Sequence, residues 1–155
     1  MSAAMRDPNR TVGHGGFTLV ELLVVITVIG VLSALAIPNL INALHRGKQK
    51  ATMADLHSIA EAIEVYSLDN GAYPSVTTAA QLESVLEPVY IREVPSYDGW
   101  RNRWMVTTAA AGYTVASGGR DGGTINWIGG PTNSFDDAIV FSDGKFTQWP
   151  EGFQN

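Results

Sequence analysis

The sequence feature that most constrains the fold is an apolar run of 21 residues, Phe17 to Ile37, in which Glu21 is the single ionisable side chain. As an α-helix with a rise of about 1.5 Å per residue, this run spans roughly 30 Å, the thickness of the hydrocarbon core of a bilayer. The preceding residues carry Arg6, Arg10 and one acid. Because positive charge favours the cytoplasmic side, the sequence predicts a single-pass helix with the leader in the cytoplasm and the rest of the chain translocated.

The order of the N-terminal parts differs from that of a secretory signal, since Gly15 and Gly16 precede the apolar run. A cut after Gly16 would leave the hydrophobic helix on the mature protein. It would also create an ammonium group at Phe17, one helical turn from the carboxylate of Glu21. A carboxylate in lipid is costly and usually functional, and pairing with the ammonium of a neighbouring helix would offset that cost. The alternative is a monotopic anchor whose Glu21 reaches the membrane interface.

The motif GFTLVE, from Gly16 to Glu21, followed by the long apolar helix, resembles the N-terminus of type IV prepilins and type II secretion pseudopilins. The resemblance implies that a membrane aspartyl peptidase cuts after Gly16 and N-methylates Phe17. It implies that Glu21 aligns subunits during filament assembly and that Pro38 kinks the helix. The implied partners are other copies of the chain, the prepilin peptidase and methyltransferase, minor pseudopilins and an inner-membrane assembly platform. The implied location is the bacterial inner membrane and then a periplasmic filament.

Beyond Pro38 the sequence predicts that the helix continues as an amphipathic segment. Leu56, Ile59, Ile63 and Tyr66 follow the helical spacing of one buried stripe, which we extend backwards through Leu44, Ala51 and Ala54. The sequence Asp69-Asn70-Gly71 predicts its end. The predicted organisation is a leader at 1–16, a membrane and filament-core segment at 17–37, the amphipathic half of the helix at 38–70 and a globular part at 71–155.

The second half of the chain changes to short strands separated by glycine. A short helix with a capping pattern at Thr78 to Gln81 comes first. Four strands are predicted, at residues 103–108, 113–117, 138–142 and 145–149, and Asp143-Gly144 is a strong hairpin signal. Thr124 to Asn133 is predicted to be loop. The fold class is therefore α+β: a long N-terminal helix packed on a small antiparallel sheet, which the resemblance identifies as a pilin-like fold.

Composition and side-chain spacing exclude several classes of function. A net charge of −5 with no basic patch argues against a nucleic-acid partner, and a chain without cysteine has neither disulfides nor thiolate metal sites. His57 and Glu61 are spaced as a possible metal pair but lack a third ligand nearby. The histidines fall in the leader (His14) or on the long helix (His45 and His57), and no nucleophile and base are grouped, so we predict no enzyme activity.

The glycine-rich segment after the first predicted hairpin is a candidate cation site. Asp121, Asp136 and Asp137 offer three carboxylates near flexible backbone carbonyls. The residues alone leave calcium binding and solvated acids as open alternatives. The segment resembles the calcium loop of major pseudopilins, which implies a structural calcium held by Ser117, Gly118, Asp121 and either Asp136 or Asp137. Arg120 stands where that family has alanine. Asp98, Trp100 and Asn102 also match a segment of the same family.

The predicted function is that of a structural subunit of a periplasmic pseudopilus that drives protein export through a type II secretion system. The alternative is a major or minor pilin of a type IV pilus. The absence of cysteine weighs against this alternative, because many such pilins close a C-terminal loop with a disulfide.

Overall fold

The computed structural model describes residues 16–124 and 127–152. The chain forms two compact units, Met1–Pro38 and Asn39–Asn155. In chain order the elements are the helices α1 (Leu19–Asn70) and α2 (Ala79–Leu86) and the strands β1 (Met105–Ala109), β2 (Gly112–Ser117), β3 (Gly130–Thr132), β4 (Ile139–Ser142) and β5 (Lys145–Pro150). The result is an α+β fold with one long N-terminal helix and a mostly antiparallel sheet, as the sequence predicted.

Helix α1 continues through Pro38 and ends at Asn70, next to the predicted stop at Gly71. The predicted stripe of Leu56, Ile59 and Ile63 is fully buried. Its backward extension through Leu44, Ala51 and Ala54 is wrong, because these side chains are exposed. The stripe instead continues through the buried polar residues Gln49 and Thr52.

Burial of Thr52 is possible because its hydroxyl is hydrogen-bonded on both sides. It donates to the carbonyl of Lys48 at 2.9 Å and accepts from the amide of Gly99 at 3.0 Å. A buried hydroxyl with both partners avoids the desolvation penalty that would otherwise oppose its burial. A prediction from hydrophobic spacing alone therefore missed the buried polar residues at the N-terminal end of the stripe.

The sheet has five strands in the order β1-β2-β4-β5-β3. Neighbours pair antiparallel except β3, which pairs parallel with β5. The predicted hairpins are confirmed: β1 and β2 join through Ala110 and Ala111, and β4 and β5 through Asp143-Gly144. Asp143 and Gly144 have φ values of 47° and 81°, the positive pair that a tight hairpin turn requires.

Strand β3 contradicts the prediction that Thr124 to Asn133 is entirely loop. Its sequence, Gly-Pro-Thr, has no hydrophobic alternation, and Pro131 is tolerated because β3 is an edge strand. The preceding backbone is held by the buried side chain of Gln148, whose Oε1 accepts from the amides of Ile128 and Gly129 at 2.9 and 3.1 Å. The strand thus depends on a tertiary partner rather than on its own sequence.

The core of the second unit lies between α1, α2 and one face of the sheet. Helix α2 begins as predicted, with the hydroxyl of Thr78 accepting from the amide of Gln81 at 3.3 Å. It contributes Leu82 and Leu86 to the core. The other main members are the α1 stripe, Trp104, Val106, Tyr113, Val115, Ile139 and Phe141. The last residue of β2, Ser117, lies next to Asp98, because its hydroxyl donates to the Asp98 carboxylate at 2.6 Å.

Candidate functional site

The predicted cleavage site lies at the first described residues. Gly16, Phe17 and Thr18 precede α1 without regular structure, and among the described residues no atom beyond the chain neighbours of Gly16 lies within 4 Å of a Cβ built on it. The side chain of Phe17 is 85% exposed. The part of the predicted leader from 1 to 15 lies outside the described residues. An exposed, non-helical segment is the form of backbone that proteases cut most readily.

Glu21 belongs to a capping box at the start of α1. The carboxylate oxygen Oε2 accepts from the amide of Thr18 at 3.0 Å and from its hydroxyl at 2.9 Å. In return, the Thr18 hydroxyl oxygen accepts from the amide of Glu21 at 3.2 Å. These reciprocal bonds satisfy amide groups that the first turn of a helix leaves without partners.

The pattern Thr-x-x-Glu before an apolar run is the known sequence signal of a capping box. The sequence prediction for Glu21 considered its charge and did not include this cap. The cap adds a second role for Glu21 beside the predicted one in assembly. The two roles differ in what they require: the cap needs a hydrogen-bond acceptor, whereas pairing with an ammonium group needs a negative charge. Substitutions that keep one property and remove the other can separate them.

The apolar part of α1 is exposed along its length. Within the described residues, α1 is the one helix long and apolar enough to cross a membrane, and none of its most apolar window is buried. Leu19, Leu22, Ile29 and Leu35 are each more than half exposed. A continuous apolar surface of this kind marks a membrane or protein contact rather than a solvated helix.

The predicted cation segment is anchored by the buried carboxylate of Asp98. Its Oδ1 accepts from the amides of Trp100 and Asn102 at 2.9 and 2.8 Å, and its Oδ2 accepts from the hydroxyl of Ser117 at 2.6 Å. The side-chain amide of Asn102 donates to the carbonyl of Gly119 at 2.8 Å. Ser117, a predicted calcium ligand, is therefore completely buried as part of this structural network.

The loop after β2 contacts the residues before β4 very closely at Gly119. A Cβ on Gly119 would lie 2.7 Å from the carbonyl oxygens of both Asp136 and Asp137, and its φ of +77° is also unfavourable for other residues. One residue later, the amide of Arg120 donates to the carbonyl of Phe135 at 2.7 Å. These contacts place the side chain of Arg120 beside that of Asp136.

Arg120 and Asp136 form a bidentate ion pair. Nε donates to Oδ1 at 2.7 Å and the terminal nitrogen Nη2 to Oδ2 at 2.6 Å. The hydrogen bonds from Arg120 lower the pKa of Asp136, and those to Asp136 raise the pKa of Arg120. Both carboxylate oxygens of Asp136 are thus occupied by a cation that belongs to the chain.

The other predicted ligands are also engaged locally. Asp121 accepts from the amide of Gly123 at 2.9 Å, and Asp137 accepts from the amide of Ser134 at 3.2 Å. Gly118 lies against the carbonyl of Gly123, which would be 2.5 Å from an added Cβ. Across residues 16–124 and 127–152, no three acidic or histidine side chains gather where they could hold a metal. Because calcium takes six to eight oxygens that include main-chain carbonyls, the calcium site stays a prediction.

Comparisons with known proteins agree with the N-terminal geometry and with the fold. The family model described as "Type II secretion system (T2SS), protein G" matches residues 39–126, and the "Prokaryotic N-terminal methylation motif" matches residues 13–37. A type II secretion system core protein G of Escherichia coli (strain K12) is 34% identical over 122 residues, covering 69% of this chain and 82% of the relative. The chain belongs to the protein G family of type II secretion systems.

Two further relatives with the same name extend the match along the chain. The protein of Pseudomonas aeruginosa (strain PAO1) is 30% identical over 131 residues, covering 73% of this chain and 90% of the relative. The protein of Dickeya chrysanthemi is 30% identical over 139 residues, covering 88% and 87%. The predicted resemblance to the type II secretion pseudopilins is confirmed.

The two family matches divide the candidate residues of this protein G family member. Gly16, Phe17 and Glu21 fall within the methylation motif, and Asp98 and Asp121 within the protein G match. Asp136 and Asp137 lie beyond residue 126, where that match ends. The carboxylates of the predicted calcium site are therefore divided between the part of the chain inside the protein G family match and the part beyond it.

The histidines of this protein G family member serve structural contacts where the structure describes them. His57 and Glu61 form an exposed pair on α1 at 3.3 Å. The indole nitrogen of Trp100 donates to Nδ1 of His45 at 3.2 Å, and the His45 ring packs on Phe135. His14 lies outside the described residues. The family is one of structural pseudopilins.

Proposed function

We propose that this chain is a structural, non-catalytic subunit of a periplasmic pseudopilus and that its N-terminal helix is first a membrane anchor and then part of the filament core. Membership in the protein G family makes it a pseudopilin of type II secretion. The proposed change of the N-terminal helix from membrane anchor to filament core rests on the arrangement at the start of α1. An exposed Gly16-Phe17 bond immediately precedes an exposed apolar helix with one acid in its first turn.

Processing would change the charge of the helix end. A cut after Gly16 removes the basic leader and creates a positively charged amine at Phe17, which methylation keeps positive. The Glu21 carboxylate already has neutral partners in Thr18, whereas the new ammonium has none supplied by the cap. In a low-dielectric membrane, an ion pair between the Phe17 amine of one subunit and Glu21 of its neighbour would stabilise side-by-side packing.

The proposed partners follow from these steps. A prepilin peptidase with methyltransferase activity would act on Gly16 and Phe17. An inner-membrane assembly platform would receive the processed helix, and minor pseudopilins and further copies of the chain would pack against it. The leader would lie in the cytoplasm, while the second unit, Asn39–Asn155, would lie in the periplasm.

The type II secretion role is tested by complementation in the bacterium that encodes the chain. Deletion of the gene is expected to stop release of proteins exported across the outer membrane, and expression of the full-length chain is expected to restore it. Secreted protein in the culture medium is measured against the amount retained in the periplasm. Surface pili and twitching motility are scored in the same strains.

The two functions give opposite patterns in this experiment. Loss of export with intact pili supports the pseudopilin role. Intact export with loss of pili or twitching would contradict it and favour the type IV pilus alternative.

A further inference from the structure

The contact between the 118–123 loop and the 133–138 loop contains more negative than positive charge. Asp121 belongs to the first loop and Asp136 and Asp137 to the second, whereas Arg120 is the one arginine or lysine in these two segments. The family resemblance implies a calcium ion at this place, yet the described side chains form no three-acid cluster. Arg120 is therefore the one cationic side chain that these two segments themselves offer to the three carboxylates.

Arg120 has the geometry to neutralise one of the three carboxylates, that of Asp136. Its planar guanidinium makes two parallel hydrogen bonds to the carboxylate of Asp136, at 2.7 and 2.6 Å. Such bidentate pairs are stronger and more directional than single contacts between charged groups. The backbone of Arg120 is fixed as well, because its amide donates to the carbonyl of Phe135.

The Arg120 guanidinium and a calcium ion would compete for the carboxylate of Asp136. A calcium ion bound there would have to displace the guanidinium from both oxygens or lie next to its positive charge. The first outcome breaks two charge-assisted hydrogen bonds, and the second brings like charges together.

We propose that Arg120 takes the place of a bound cation in this chain, neutralising Asp136 and joining the two loops so that the folded unit needs no calcium. The inference concerns stability and does not depend on the function proposed above. It predicts that removal of the guanidinium loosens the loops, whereas removal of calcium does not.

The test is thermal unfolding of the full-length chain in detergent micelles, followed by near-UV circular dichroism in EGTA and in millimolar calcium. The wild-type Tm is expected to differ by less than about 1 °C between the two conditions. Arg120→Ala and Asp136→Ala are each expected to lower Tm by about 4 °C, and the double variant by no more than either alone. The Tm of Arg120→Lys is expected to lie between those of wild type and Arg120→Ala. Lysine keeps the positive charge but cannot make two parallel hydrogen bonds to the carboxylate.

Arg92→Ala is the matched control, since Arg92 is an exposed arginine outside both loop segments, and its Tm should equal that of wild type. An unchanged Tm in Arg120→Ala would overturn the proposal. So would a rise of several degrees in wild-type Tm on adding calcium that Asp121→Ala abolishes, because that result would establish the predicted calcium site instead.

Discussion

Glu21→Ala is expected to abolish filament assembly while leaving the chain cleaved and inserted in the membrane. The substitution removes the single acid of the apolar run, and with it the proposed partner of the Phe17 amine in a neighbouring subunit. An unpaired ammonium in lipid opposes close packing of two helices, so the effect on assembly should be nearly complete. Cross-linking measures it cleanly, because the chain has no cysteine and one introduced cysteine pair reports contacts between subunits.

Two matched variants separate the assembly role of Glu21 from its role in the capping box. Glu21→Gln keeps an acceptor for the amide and hydroxyl of Thr18 but removes the charge. Thr18→Ala keeps the charge and removes the cap, which destabilises the helix end by about 1 kcal/mol. We expect Glu21→Gln to fail in assembly and Thr18→Ala to assemble. Normal assembly of Glu21→Gln, with failure of Glu21→Ala, would reduce Glu21 to a helix cap.

Asp98→Ala is expected to cause the largest loss of stability in the second unit. The carboxylate is 5% exposed and accepts three hydrogen bonds, two from backbone amides and one from Ser117. Alanine leaves these three donors without a partner in a buried place, which should cost about 3 kcal/mol or more. This loss corresponds to a decrease in Tm of about 10 °C in near-UV circular dichroism.

Controls distinguish this effect from a general effect of removing an acid. Asp98→Asn keeps one carbonyl oxygen for the amides of Trp100 and Asn102 and should recover more than half of the lost Tm. Asp69→Ala removes an exposed acid near the end of α1 and should leave Tm nearly unchanged. A Tm of Asp98→Ala equal to that of Asp69→Ala would show that the network around Asp98 does not stabilise the fold.

Local sequence signals predicted the features that depend on residues close together in the chain. The hairpin at Asp143-Gly144 depends on two positive φ values, which the sequence specifies by residue type. The cap at Thr78 spans three residues, and the stripe from Leu56 to Ile63 follows helical periodicity. The capping box of Thr18 and Glu21 has an equally local signal. It was missed because Glu21 was interpreted only as a charged residue in a membrane helix.

The features that sequence reasoning missed depend on partners far away in the chain. Strand β3 exists because β5 and Gln148 hold it, and Thr52 is buried because Gly99 donates to it across 47 residues. The pair of Arg120 and Asp136 joins residues that are 16 positions apart. A cluster of acids in the sequence predicted a cation but not that a neighbouring arginine would occupy one carboxylate.

If the chain is made as a prepilin and matured at its N-terminus, the mass of the chain extracted from membranes should show the cut and the methyl group. Wild type and Gly16→Ala are expressed in cells with and without an active prepilin peptidase. Wild type is expected to begin at methylated Phe17 in peptidase-containing cells, and Gly16→Ala is expected to keep its leader in both strains. A wild-type chain that keeps its leader in the presence of the peptidase, or that is cut elsewhere, would show that it is not processed as a prepilin.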